Sequence, residues 1–278
     1  MGKTRIDQTN PNTIKRMRKE GRGRGVGEDY KAWLQAQDVP STGKTRRLRG
    51  WWTGDRMVTC FSQLELNHFY NVEWDPTVTD YQDQQNLDMA GTGGTLEVAA
   101  ALGYRHPQKK GLPVPMTTDL VVRYADGSMQ ARAVKPACEV DLVGTTRPAH
   151  VKRVLEKLEI EQVYWRLRQV PWLLITEAEI DQVLAWNVRM VHSDYRLEEL
   201  QPLTAEDVER AHAYLFPLVQ KATTPLKDLA DQCDAALGLS VGSSHALARH
   251  LIAQRRWPVD FTVRFELGGV LALQEVRE

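Results

Sequence analysis

Asp119 and Lys135 stand 16 residues apart, and the segment between them can fold back on itself. Asp119-Leu120-Val121-Val122-Arg123-Tyr124 reads as one strand, Asp126-Gly127 as a tight turn, and Ala131 to Val134 as the returning strand. A hairpin of this kind brings Asp119 beside Ala133-Val134-Lys135. One acidic residue at a strand start, with an (E or D)-x-K pair on the next strand, is a widespread way to hydrolyse a phosphodiester. Carboxylates hold Mg²⁺, and a further group orients water and helps deprotonate it. Strand alternation points residues 133 and 135 to the same side of the sheet. Residue 133 is Ala, so a side-chain ligand is missing from the pattern, and the Val134 carbonyl is left as a main-chain metal ligand. Glu65, from a preceding helix, supplies a second carboxylate. A surface Asp and a surface Lys are the bland reading of the same spacing.

The elements that must position these residues follow from periodicity. Ser62-Gln63-Leu64-Glu65 forms an N-cap box, and Leu64, Phe69 and Val72 keep an apolar face through a helix ending near Asp75-Pro76. Residues 77–85 alternate as a short strand. Residues 90–113, rich in Gly and Pro, read as a long loop or insertion. A long amphipathic helix is expected over 148–168, and Trp172 to Thr176 is an apolar run typical of a buried strand. Helices then dominate at about 178–190, 204–221, 226–236 and 243–255, with a turn at Leu237 to Ser240. A strand pair, Phe261–Glu266 and Val270–Gln274, closes the pattern through Gly268-Gly269. Helix, helix, turn, helix and hairpin is the layout of a winged-helix domain. The expected class is α/β, with a nuclease-like domain over 1–177 and a winged-helix-like domain over 178–278.

A chain of 278 residues favours two domains over one. No apolar run of about 18 residues is present, and MGKTRIDQTN has neither an apolar h-region nor a Ser or Thr at position 6. Cys60, Cys138 and Cys233 are scattered and lack CxxC spacing, which fits a reducing cytoplasm rather than disulfides or zinc. The formal net charge is zero, yet residues 1–49 carry 13 Lys and Arg against 5 Asp and Glu. Lys15 to Arg24, with its alternating glycines, and a second patch of Lys44, Arg46, Arg47 and Arg49 suggest a polyanion partner or a solubilising tail. Neighbouring residues have simpler readings. Glu73 and Asp75 fit turn chemistry, and His68, His106 and His150 read as surface or loop histidines. Arg249, Arg255 and Arg256 could face DNA or a protein.

Several segments resemble the TnsA family: RMRKEGRGRGVGEDYKAWLQAQDVPSTG, FSQLELNHFYNVEWDPTVTDYQDQ, MTTDLVVRYADG, AVKPA, RVLEKLEIEQVYW and PWLLIT, in the family's order over most of residues 15–177. The resemblance implies a restriction-endonuclease-like fold with a two-metal site using Mg²⁺, for which Mn²⁺ can substitute. It implies that Glu65 is the first catalytic carboxylate, Asp119 the metal-bridging aspartate and Lys135 the catalytic lysine. Glu161 matches an acidic helix residue near the metals, bound through water, with a solvated helix face as its alternative. Gln84 matches a glutamine near the active site. Ala133 stands where the family carries Gln in a QVK form, so restoring Gln is expected to leave cutting similar or improve it. The resemblance further implies cleavage of double-stranded DNA at the 5′ ends of a transposable element. The implied partners are a TnsB-type transposase, which joins 3′ ends, and a TnsC-type AAA+ ATPase regulator contacted by the C-terminal domain. Such proteins also occur in elements guided by CRISPR complexes. Two rivals remain: a weakly catalytic nuclease-fold scaffold bridging DNA and the ATPase, which Ala133 favours, and a stand-alone restriction or repair nuclease.

Overall fold

The computed structural model describes residues 6–39, 45–266 and 268–274, so the expected basic patch is described except for Lys44, and the opening residues 1–5 lie outside. The chain divides into two compact units, Met1–Ile180 and Asp181–Glu278.

In the first unit, α1 (Pro11–Lys19) leads into a glycine-rich segment and then the antiparallel pair β1 (Arg46–Arg49) and β2 (Met57–Cys60). Helix α2 (Gln63–Glu73) starts at Ser62, whose hydroxyl accepts from the Glu65 N–H. β3 (Val78–Asn86) follows, then α3 (Thr95–Ala101) and a two-residue hairpin, β4 (Gln108–Lys109) with β5 (Leu112–Pro113). The expected structureless loop over 90–113 is therefore a helix plus a hairpin. TLEVAAA is rich in Ala, Leu and Glu, which favour helix, but seven residues are too few to show a period. β6 (Thr117–Tyr124) and β7 (Met129–Val134) form the expected hairpin, with Gly127 at φ +83° in its turn. After a single turn, α4 (Ala137–Val140), comes α5 (Pro148–Arg166), and β8 (Trp172–Ile175) returns parallel to β7.

The sheet order is β3-β6-β7-β8. Val121 and Ala131 face Ile160, Tyr164 and Trp165 of α5. On the other side Val134 and Ile175 pack with Ile180 and Leu64 of α2. β8 is an edge strand, with Leu173 43% exposed, so its apolar run is less buried than its composition suggests.

β3 is the other edge, and its polar sequence VTDYQDQQN is nevertheless mostly buried. The N-terminal segment covers it. Gln82 Nε2 donates to Gly25 O at 2.9 Å, Gln85 Nε2 to Gly23 O at 3.2 Å, and the Trp33 N–H to Gln84 O at 3.2 Å. Buried amides are tolerated because each finds a main-chain partner. Gly23 has φ +73°, and a Cβ there would stand 2.8 Å from Asn86 Cβ. The glycines thus let the backbone approach β3.

The second unit holds α6 (Gln182–Val191), α7 (Ala205–Val219), α8 (Leu226–Leu237) and α9 (Ser243–Ala253), with Gly238 in the left-handed cap between the last two. The expected strands Phe261–Glu266 and Val270–Gln274 do not form. Buried Asn187 takes their main-chain groups: its Nδ2 donates to Phe261 O and Val263 O, and its Oδ1 accepts from the Phe265 N–H. Pairing is confined to one bridge upstream, Val259 with Leu273. Of the arginines expected on the surface, Arg249 binds Asp194 at 3.0 Å and Arg256 binds Glu209 at 2.6 Å, within the unit. Among the described residues no helix is long and apolar enough to cross a membrane.

Candidate active site

The hairpin delivers Asp119 to Lys135. In the β6–β7 register Leu120 faces Arg132, so Asp119 lies opposite the end of β7. One carboxylate oxygen, Oδ2, accepts from the Val134 N–H at 2.8 Å and from Lys135 Nζ at 2.8 Å. The same ammonium donates to the Val134 carbonyl at 2.8 Å. The carbonyl expected to be free is thus engaged by Lys135, and two oxygens converge on one cationic point. Burial works against the lysine charge. Asp119 more than offsets this, aided by Glu161 and Glu65, and holds the ammonium above the ordinary lysine range.

Glu65 sits in the first turn of α2. Its carboxylate accepts from the Phe61 N–H at 3.0 Å and from the Ser62 hydroxyl at 2.9 Å. It lines one tight cleft with Asp119, His68, Cys60, Leu120 and Val134. Burial, then the negative charge of Asp119, pushes its pKa up to about 7. Glu161 is buried on α5, not on a solvated face. Its Oε1 accepts from Thr118 Oγ1 at 2.8 Å and Trp172 Nε1 at 3.1 Å, and burial followed by Asp119 raises it also to about 7. Thr118 neighbours Asp119 on β6, so Glu161 approaches the site from the α5 face.

Gln84 completes the cage around Asp119. Its Nε2 lies 3.4 Å from Asp119 Oδ1, while its Oε1 accepts from Thr117 Oγ1 at 3.2 Å. Ala133 is 1% exposed and packs on Val154 and Leu158 of α5. Among the described residues no group of three or more His, Cys, Asp or Glu side chains stands ready to hold a cation. The donors around Lys135 nonetheless suit a hard cation: a carboxylate and a carbonyl oxygen already converge, and two nearby carboxylates resist ionisation beside them.

Several neighbours differ from their sequence readings. His68 is buried, and its pKa is lowered to about 3 by burial and Arg132. His106 is also buried, bonded to Thr95 and Pro107, whereas His150 is exposed. Glu73 is not a turn residue. It is fully buried, accepting from the Trp51 N–H at 2.9 Å and from the Tyr81 hydroxyl. Asp75 does form a turn, accepting from Thr77. Arg22 is 7% exposed and paired with Asp38 and Glu20. These burials are not periodic features, because each depends on how non-adjacent segments fold together rather than on any local pattern.

Residues 75–177 match the family model described as TnsA-like endonuclease N terminal, and residues 179–261 match TnsA endonuclease C terminal. The transposition protein TnsA of transposon Tn7 from Escherichia coli is 34% identical over 242 residues, covering 86% of this chain and 82% of that protein. The chain belongs to the TnsA endonuclease family.

Proposed function

We propose that this endonuclease is Mg²⁺-dependent and cuts the 5′ ends of a transposable element, working with a TnsB-type transposase and a TnsC-type ATPase. The observation that carries the reading is the Lys135 ammonium, 2.8 Å from both Asp119 Oδ2 and the Val134 carbonyl, next to two carboxylates raised to about 7. Carboxylates with raised pKa gathered around a fixed cation in a cleft are what functional sites commonly show. Asp119, Glu65 and the Val134 carbonyl would hold Mg²⁺, with Glu161 reaching it through water. The ion would supply Lewis-acid neutralisation of the phosphoryl oxygens.

The chain's own groups do the rest. Asp119 is fixed on Oδ2 by the Val134 N–H and on Oδ1 by Gln84, so its carboxylate needs little reorganisation. Lys135 keeps a full positive charge where negative charge develops on the phosphate, and it orients the attacking water. Glu65 is fixed by the Phe61 N–H and the Ser62 hydroxyl, so its carboxylate is presented into the same cleft as Asp119.

We read the first unit as restriction-endonuclease-like and the second, with α7, α8 and α9 followed by residues 259–273, as a winged-helix-like module that contacts the ATPase. Asp119→Ala in the reconstituted transposase tests the site. We expect 5′ cleavage with Mg²⁺ or Mn²⁺ to be lost while folding and assembly persist. Wild-type 5′ nicking by the variant would remove Asp119 from the chemistry.

A further inference from the structure

A groove of about 630 Å³ opens beside the site, and four cations line it: Arg105, Lys109, Arg153 and Lys157. No carboxylate is among its lining residues. The cations come from two walls. Arg105 and Lys109 belong to the segment after α3 and to the β4–β5 hairpin, the stretch whose sequence reads as an insertion. Arg153 and Lys157 lie one turn apart on α5. Asp7 stands 3.8 Å from Lys109, and Glu156 binds Arg153 at 2.7 Å, both from outside the lining. Among the described residues neither Arg105 nor Lys157 has an ion-pair partner, and both are exposed. Although the residue as a whole is exposed, partial desolvation of its ammonium, then the charges of Arg153 and Lys135, hold Lys157 below the ordinary lysine range.

The groove adjoins residues that contact the site. Thr117 is one of its lining residues, and its hydroxyl donates to Gln84, whose amide reaches Asp119. Lys157 lies one turn before Glu161 on α5. Four cations on two walls, two of them without an ion-pair partner among the described residues, beside a phosphodiesterase site suit a ligand with several phosphates in a row. A single small anion would need only one of the two walls.

We infer that this groove holds the phosphate backbone of the DNA strand being cut, through Arg105, Lys109, Arg153 and Lys157. The inference rests on the reading of Asp119 and Lys135 as a DNA-cutting site. Contacts of this kind fix the position of the duplex without reading its sequence.

The test uses the full chain and a fluorescent 30-base-pair duplex, with binding measured over a salt series. Each phosphate contact contributes about 0.9 to the slope of log K against log salt. Arg105→Ala with Lys157→Ala should lower that slope by about two, to the same extent on any DNA sequence, while Arg105→Lys with Lys157→Arg keeps it. Thermal melting checks that the pair folds. Should it not, either single variant should lower the slope by about one. An unchanged slope, or no measurable binding by the wild-type chain, would overturn the groove. Asp119→Ala separates the two readings: wild-type cutting by that variant sinks the site assignment, whereas an inactive Asp119→Ala beside groove variants of unchanged slope sinks the groove alone.

Discussion

Gln84 stands opposite Asp119 between β3 and β6, in a left-handed backbone conformation with φ +49°. The flanking pairs, Asp83 with Leu120 and Gln85 with Thr118, keep ladder register on both sides. A non-glycine residue in this region carries strain of about 1–3 kcal/mol, which persists only where surrounding contacts hold it. Here they do: Trp33 bonds the Gln84 carbonyl, Thr117 its amide oxygen, and the amide nitrogen faces Asp119.

Gln84→Asn should therefore slow cutting without unfolding the protein. Asparagine tolerates the left-handed region, so the backbone survives, but its amide is one methylene too short to reach Asp119. Loss of one hydrogen bond to a charged group predicts a single-turnover rate about tenfold lower, with a melting temperature within a few degrees of wild type. A wild-type rate in this variant would show that Asp119 needs no support from β3.

Arg22→Ala should destabilise the fold rather than weaken DNA binding. The side chain is buried against Asp38 and donates to Trp33 O at 3.2 Å. Breaking a buried pair leaves Asp38 uncompensated, a loss of about 3–5 kcal/mol. Removing both Arg22 and Asp38 should cost less than removing Arg22 alone. Urea denaturation measures this, and stability unchanged in Arg22→Ala would contradict it.

The hairpin that joins Asp119 to Lys135 was legible because alternation and Asp126-Gly127 are local signals. The role of Gly23 was legible only in part. The glycine pattern announces a close backbone approach, but that the approach is to Asn86 on β3 depends on a contact 63 residues away. Glu73 and Arg22 misled for the same reason: a charged residue reads as exposed until its partner is known. Asn187 shows the reverse case, where one buried amide captures the main chain of residues 261–265 and prevents an expected strand pair.

Glu161 predicts a pH dependence of stability. Its carboxyl has a pKa near 7 in the fold against 4.5 ordinarily, so folding favours the protonated form. The destabilising contribution is absent below about pH 4.5 and grows until the pH passes about 7. Glu161→Gln keeps an oxygen for Thr118 and Trp172 but cannot ionise. Its gain over wild type should be near zero at pH 4.5 and rise towards pH 8, by at most about 3 kcal/mol. Millimolar Mg²⁺ should raise the wild-type melting temperature more at pH 8 than at pH 5, since protons compete for the same oxygens. Parallel stability curves for the two proteins would show that Glu161 does not titrate in this range.

Lys135 and Ala133 project from the same strand face, yet they call for opposite expectations. Lys135→Ala removes the charge held between Asp119 and the Val134 carbonyl. Loss of one such electrostatic contact commonly costs about 10²–10³ in rate, so the variant should bind DNA and assemble but cut that much more slowly. On sequence alone, Ala133→Gln should leave cutting similar or better. The packing argues otherwise. Ala133 is 1% exposed against Val154 and Leu158, and glutamine would force four more heavy atoms into that contact. Overpacking of this kind costs about 1–3 kcal/mol, and shifting β7 would also move Lys135. Ala133→Gln should therefore melt several degrees lower and cut no faster than wild type. Single-turnover rates in the assembled transposase, paired with melting temperatures, decide both. A wild-type rate for Lys135→Ala would remove the lysine from the site, and a wild-type melting temperature for Ala133→Gln would show that α5 leaves room for the longer side chain.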